Sequence, residues 1–193
     1  LTIIPESIGN LSSLTHLSLL GNQLTTLPES FGNLSGLEEL WLYSNEFTTL
    51  PESILSLNNL EGLILDQNEL TSLPEGIGEL SSLERLDLSY NQLTTLPESF
   101  GNLTNMWILT LSNNQLYCED GQQNVDLIPD FLTNGSIMTI VGLYYQDCCE
   151  GDLISDCAGV CGGGAVVDNC GDCNGDGSTC LDIECDSDVC LFI

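Results

Sequence analysis

The sequence predicts an α/β solenoid of short stacked repeats, followed by a small cysteine-rich tail. Three observations carry this reading. Pro5, Pro28, Pro51, Pro74 and Pro97 are each 23 residues apart. Asn22, Asn45, Asn68, Asn91 and Asn114 keep the same step. Between these marks one leucine pattern returns, most clearly from Leu83 to Asn105. A fixed period of this length belongs to a solenoid: no single unit buries its apolar face alone, and stacking makes the core continuous.

Each part of the unit has a physical task. The alternation at Leu86 and Leu88 reads as a short strand with one buried face. Asn91 carries an amide that both donates and accepts, so stacked asparagines satisfy turning backbone that cannot pair as a sheet. Leu93 and Leu96 re-enter the core. Pro97 suits the first position of a helical or 3₁₀ turn, where its missing N–H costs nothing. Phe100 and Leu103 bury the inner side of that turn, and Gly101 lets the chain swing back.

These residues resemble the leucine-rich repeat family in its 23-residue form, with Leu-Pro-Glu-x-Ile-Gly-x-Leu on the outer side; the resemblance covers residues 1 to about 118. It implies a curved right-handed solenoid, with parallel strands lining a concave face and short helical or 3₁₀ turns on the convex one. It also implies a protein-binding scaffold without catalytic residues. Complete repeats begin at Leu14, Leu37, Leu60 and Leu83, and a fifth opens at Met106. Leu1 to Pro5 align with Leu24 to Pro28, so the reading is of an array truncated at its N-terminal side.

The strand residues flanking the inner leucines are expected on the concave side. They include His16, Leu20, Glu39, Trp41, Tyr43, Ile64, Asp66, Arg85 and Asp87, with Trp107 at the rim. The repeat template leaves these positions free, so their composition carries the functional signal. Leu20, Trp41, Tyr43 and Ile64 fall on adjacent strands as an apolar and aromatic cluster. Gly62 lies between Glu39 and Arg85 and leaves room for them to reach toward each other.

Charge narrows the partners. The chain has 29 acidic residues, one arginine, no lysine and a net charge of −28. That argues against nucleic acid and anionic membrane surfaces, because nothing neutralises their phosphates. No stretch is long and apolar enough to span a bilayer. The acids also segregate: residues 1–118 hold twelve Glu and two Asp, whereas 119–193 hold three Glu and twelve Asp. Aspartate suits turns and hard-cation sites. The switch marks the end of the repeats (1–118), and a further change of composition from Cys148 on separates a capping segment (119–149) from a Cys/Gly/Asp-rich module (150–193). Within the cap, 125–132 reads as a degenerate last turn, and 137–145 is a β-rich run suited to a final strand.

All ten cysteines lie at or after position 118. Dense cysteines among Gly and Asp read as a disulfide framework formed in an oxidising compartment. Cys118 is expected to pair with Cys148 or Cys149. Cys157, Cys161, Cys170, Cys173, Cys180, Cys185 and Cys190 are expected to pair locally. The stretch from Asp156 to Cys180 resembles Cys/Gly/Asp modules of secreted bacterial surface proteins, and a similar string occurs in cysteine-rich parts of extracellular metalloproteases. It implies a secreted, modular context and no activity.

Asp172, Asn174 and Asp176, followed by Gly177, match the opening of a calcium loop. Its twelfth position falls on Ile183, between Asp182 and Glu184, so the closing ligand is displaced. A disulfide-held turn through Cys173 and Cys180 accounts for the same residues. Cys170-x-x-Cys173 lacks the second, wider-spaced pair that a zinc ribbon needs. His16 is the only histidine and stands in no catalytic pattern. Asn10, Asn33, Asn102 and Asn134 head glycosylation sequons, three of them simply part of the repeat.

The expected function is therefore a non-catalytic extracellular or cell-surface module that holds a protein, peptide or glycan on its concave face. No cofactor is expected beyond calcium in the tail. The rival is an intracellular scaffold regulating a signalling enzyme, as resembling repeats do in eukaryotes. Free-thiol content separates the two.

Overall fold

Each of the four complete repeats places three residues in a strand and, across its leucines, one 3₁₀ turn. The computed structural model describes residues 1–116, 118–119, 122–123 and 139–141. Its strands are β1 (His16–Ser18), β2 (Glu39–Trp41), β3 (Gly62–Ile64), β4 (Arg85–Asp87), β5 (Ile108–Thr110), β6 (Cys118–Glu119), β7 (Gln122–Gln123) and β8 (Thr139–Val141). β1 to β5 form a parallel sheet in chain order, and β8 extends it beside β5. β6 and β7 make a separate antiparallel pair that the sequence pattern did not announce. The β-rich run at 137–145 thus supplies a sixth strand, so the sheet extends beyond position 118.

Register copies the period. Leu17, Leu40, Leu63, Leu86, Leu109 and Ile140 are successive Cα partners across the sheet. The backbone ladder runs on past each strand: Leu42 N–H donates to Ile64 O (2.8 Å) and Ser44 N–H to Asp66 O (3.0 Å). It then turns through a left-handed residue immediately before each of the first five asparagines of the repeat. Gly21, Ser44, Gln67, Tyr90 and Asn113 have φ of 64, 54, 55, 53 and 56°. For a non-glycine residue this conformation costs roughly 1–2 kcal/mol. Gly21 signals it in the sequence and Asn113 is of a type that tolerates it, whereas Ser44, Gln67 and Tyr90 give no sign.

The asparagine that follows offsets that cost. Asn45, Asn68, Asn91 and Asn114 are buried. Asn68 Nδ2 donates to Leu65 O of its own repeat (3.0 Å) and Leu42 O of the preceding one (3.1 Å). Its Oδ1 accepts from the Phe47 N–H at 3.1 Å. Asn45 and Asn91 repeat this pattern on their own neighbours. Each amide therefore satisfies backbone from two repeats at once.

The outer turns are 3₁₀ helices at Glu6–Asn10, Glu29–Asn33, Glu52–Ser56, Ile77–Glu79 and Glu98–Asn102. The proline sits one place earlier than the sequence reading put it. Pro97 is the residue preceding the turn, with an extended ψ of 151°, and Pro5, Pro28 and Pro51 match it. Phe31, Ile54, Ile77 and Phe100 from the turns meet Leu40, Leu63 and Leu86 from the strands in one core. At the first repeat the same core columns, at Leu14, Leu17 and Leu19, are only partly buried.

Neighbouring turns touch through glycine. A side chain at Gly32 would meet Ser53 O at 2.7 Å, and one at Gly78 would strike Ser99 O. In the second repeat Leu55 stands where the others have glycine. The next turn answers with Gly76 in place of serine, and a Cβ there would lie 2.7 Å from Leu55 Cδ1. That turn is also shorter, three residues against five. The two departures from the repeat compensate each other.

The expected disulfides and the candidate calcium ligands Asp172, Asn174 and Asp176 lie outside the described residues, apart from Cys118, whose backbone belongs to β6.

Candidate functional site

The open face of the sheet is built by strand residues on either side of each inner leucine. One register row is His16, Glu39, Gly62, Arg85 and Ile108; the next is Ser18, Trp41, Ile64, Asp87 and Thr110. A third follows two residues on, through Leu20, Tyr43, Asp66 and Ser89. Because register equals the repeat, these side chains fall into columns.

Glu39 and Arg85 are 46 residues apart in sequence and two strands apart in the sheet. Arg85 Nη2 nevertheless donates to Glu39 Oε2 at 2.8 Å and Oε1 at 3.0 Å. Gly62 makes this geometry available: a Cβ there would collide with the Glu39 carboxylate. Glu39 also accepts a 3.1 Å hydrogen bond from Trp41 Nε1, a contact the sequence did not foretell. One carboxylate thus holds the arginine on one side and orients the indole on the other. Trp41 remains 41% exposed, as does Leu20, while Tyr43 and Ile64 are half-buried.

The remaining site residues divide. His16 is exposed and shares a 2.8 Å hydrogen bond with Thr15, outside the Glu39 network. Trp107 lies one position before β5, 45% exposed, its Nε1 donating to Glu84 Oε2 at 3.2 Å. Asp87 accepts from Ser89 N–H (2.9 Å) and Oγ (2.6 Å), and Asp66 accepts from Gln67 Nε2 (3.0 Å). Among the described residues no group of three His, Cys, Asp or Glu side chains is placed to hold a metal. No helix among them is long and apolar enough to cross a membrane.

Burial pushes the Asp66 carboxyl above its ordinary value of 3.8; the Gln67 hydrogen bond opposes this and the Asp87 charge adds to it. A carboxyl whose folded pKa is raised binds its proton more tightly folded than unfolded. Its ionisation therefore removes stability as pH rises through the raised value. Asp66→Asn is expected to melt higher than the parent at pH 7, with the gap closing as pH falls toward 3.8. Thermal melts across that range check it against Glu98→Gln, which removes a charge from an exposed outer turn. Equal gains from both variants would show that only the total charge matters.

A family profile described as a leucine-rich repeat region matches residues 2–86, and a second, for leucine rich repeats, matches 58–116. Residues 2–116 are leucine-rich repeats. Solved structures with such repeats are similar to this chain. A Leptospira interrogans leucine-rich repeat protein is 30% identical, with a TM-score of 0.57 over 76% of this chain and 41% of that one. The plant peptide hormone receptor RGFR1, solved in complex with RGF2, is 33% identical, with a TM-score of 0.62 over 80% of this chain and 23% of the receptor. The leucine-rich repeat domain of the type III effector XopL is 33% identical, with a TM-score of 0.56 over 60% of this chain and 42% of that one. The chain spans less than half the length of each. A comparison with curated proteins gave no match.

Proposed function

We propose that the protein is a non-catalytic binding module that holds a protein or peptide partner on the open face of its sheet, in an extracellular or cell-surface setting. One observation carries the reading. Trp41 is exposed at a position the repeat leaves free, and its ring is oriented by Glu39, itself held by Arg85. An indole fixed before docking loses little freedom on binding, and Trp, Tyr and Arg are the usual anchors of an interface centre. Leucine-rich repeats generally mediate protein–protein binding, and the receptor similar to this chain was solved with a peptide hormone. The cysteine-dense tail supports the extracellular setting.

Trp41→Ala is expected to weaken partner capture by about 2 kcal/mol or more while leaving the melting temperature nearly unchanged. Parallel capture by immobilised parent and variant, followed by a titration of the recovered partner, measures this. A variant that binds normally, or one that mainly unfolds, moves the site off Trp41. Free-thiol counting tests the setting: ten free thiols in protein made under oxidising conditions would overturn it.

A further inference from the structure

The open face carries charges of both signs. Its one cation, Arg85, is spent on Glu39 through both carboxylate oxygens. Asp66 and Asp87 lie one register row apart on neighbouring repeats, near enough for the Asp87 charge to act on Asp66, and they accept hydrogen bonds from neutral donors, Gln67 and Ser89. Ile64 is the Cα partner of Asp87 and of Trp41, so it stands between that aspartate and the indole, with Asp66 two residues further along its own repeat. The face therefore offers an apolar anchor and, one step away, two half-buried like charges without a counter-ion.

A partner that covers this face must desolvate both aspartates. Without a cation of its own it would strip water from two neighbouring negative charges, which is strongly unfavourable. A partner bringing arginine or lysine replaces that water with a charge-assisted hydrogen bond. A second copy of this chain fits poorly, since each carries a net charge of −28. Resting on the binding reading above, we infer that the partner is a basic, aliphatic-rich peptide segment. It seats an apolar side chain on Trp41 and Ile64 and a cation between Asp66 and Asp87.

The test uses the full chain and labelled twelve-residue probe peptides read by fluorescence polarisation. One probe alternates arginine with leucine, one replaces arginine by glutamate, and one replaces leucine by serine. The arginine–leucine probe is expected to bind, and the other two to bind weakly or not at all. Asp66→Asn with Asp87→Asn should weaken it about tenfold. Glu29→Gln with Glu98→Gln removes the same two charges from exposed outer turns and should change it less than about twofold. Equal losses from the two pairs would overturn the inference, leaving a general attraction to an acidic surface. Loss on Trp41→Ala with no effect of Asp66→Asn and Asp87→Asn would overturn the basic partner while leaving the face as a binding site. Binding that survives Trp41→Ala and the aspartate pair alike removes the face altogether. Melting curves of each variant confirm that the fold is intact.

Discussion

Asn68→Ala is expected to destabilise the protein by about 1–3 kcal/mol. The amide touches three backbone groups that matter, and they suffer unequally. Leu42 O keeps its bond from Asn45 Nδ2 (2.9 Å), and Leu65 O keeps one from Asn91 Nδ2 (3.0 Å). The buried Phe47 N–H loses its acceptor, and that orphaned donor dominates the cost. Asn68→Asp separates the roles. It retains an acceptor for Phe47 but aims a carboxylate at two carbonyl oxygens, so its folded pKa must rise above the unfolded value. Such a group loses stability as pH increases through the folded pKa. The aspartate variant should therefore be weakest at neutral pH and recover in acid, whereas the alanine variant should show no such recovery. Urea titrations at pH 7 and pH 4 measure both. An alanine variant that unfolds with the parent would refute the ladder.

Gly78→Ala is expected to cost about 2–3 kcal/mol, from overpacking between two turns. The obstacle is Ser99 O, a backbone atom that cannot rotate away, so relief requires the repeats to separate. The loss should outweigh the gain of about 0.4–1 kcal/mol from stiffening the unfolded chain. Gly76→Ala is the internal comparison. It meets Leu55 Cδ1 at 2.7 Å and Glu79 Oε1 at 3.3 Å, both far ends of flexible side chains, and should cost clearly less. In a Leu55→Gly background, Gly76→Ser rebuilds the pairing of Gly32 with Ser53 and should be nearly neutral. If Gly78→Ala and Gly76→Ala destabilise equally in urea, close approach between turns is not what selects glycine here.

What the sequence made legible is what a repeat demands of every copy. The leucine columns, the buried asparagines and the parallel register all follow from apolar burial and backbone satisfaction recurring at one period. Even the reach of Arg85 to Glu39 could be read, because the register of a periodic sheet is the period itself. Features that residue type does not mark from copy to copy were hidden. The left-handed turn is flagged by Gly21 but not by Ser44, Gln67 or Tyr90, whose types prefer other conformations and are overridden by the following asparagine. The Leu55 and Gly76 exchange looks like two unrelated irregularities until the turns are stacked. The Trp41 bond to Glu39 depends on side-chain rotamers, which no pattern encodes. Apolar character marked Trp41 and Leu20 for attention, but only the structure distinguishes the oriented, networked indole from the separate pair of Trp107 and Glu84.

The pair formed by Arg85 and Glu39 has a mechanical consequence. The backbone hydrogen bonds of the sheet link a repeat to itself or to its immediate neighbour. This ion pair skips the third repeat and ties the second to the fourth across about 10 Å, twice the strand spacing. Splaying the strands around Gly62 would stretch it first, so it acts as a tendon across that junction. It braces the part of the sheet from β2 to β4 that carries Trp41 and Ile64.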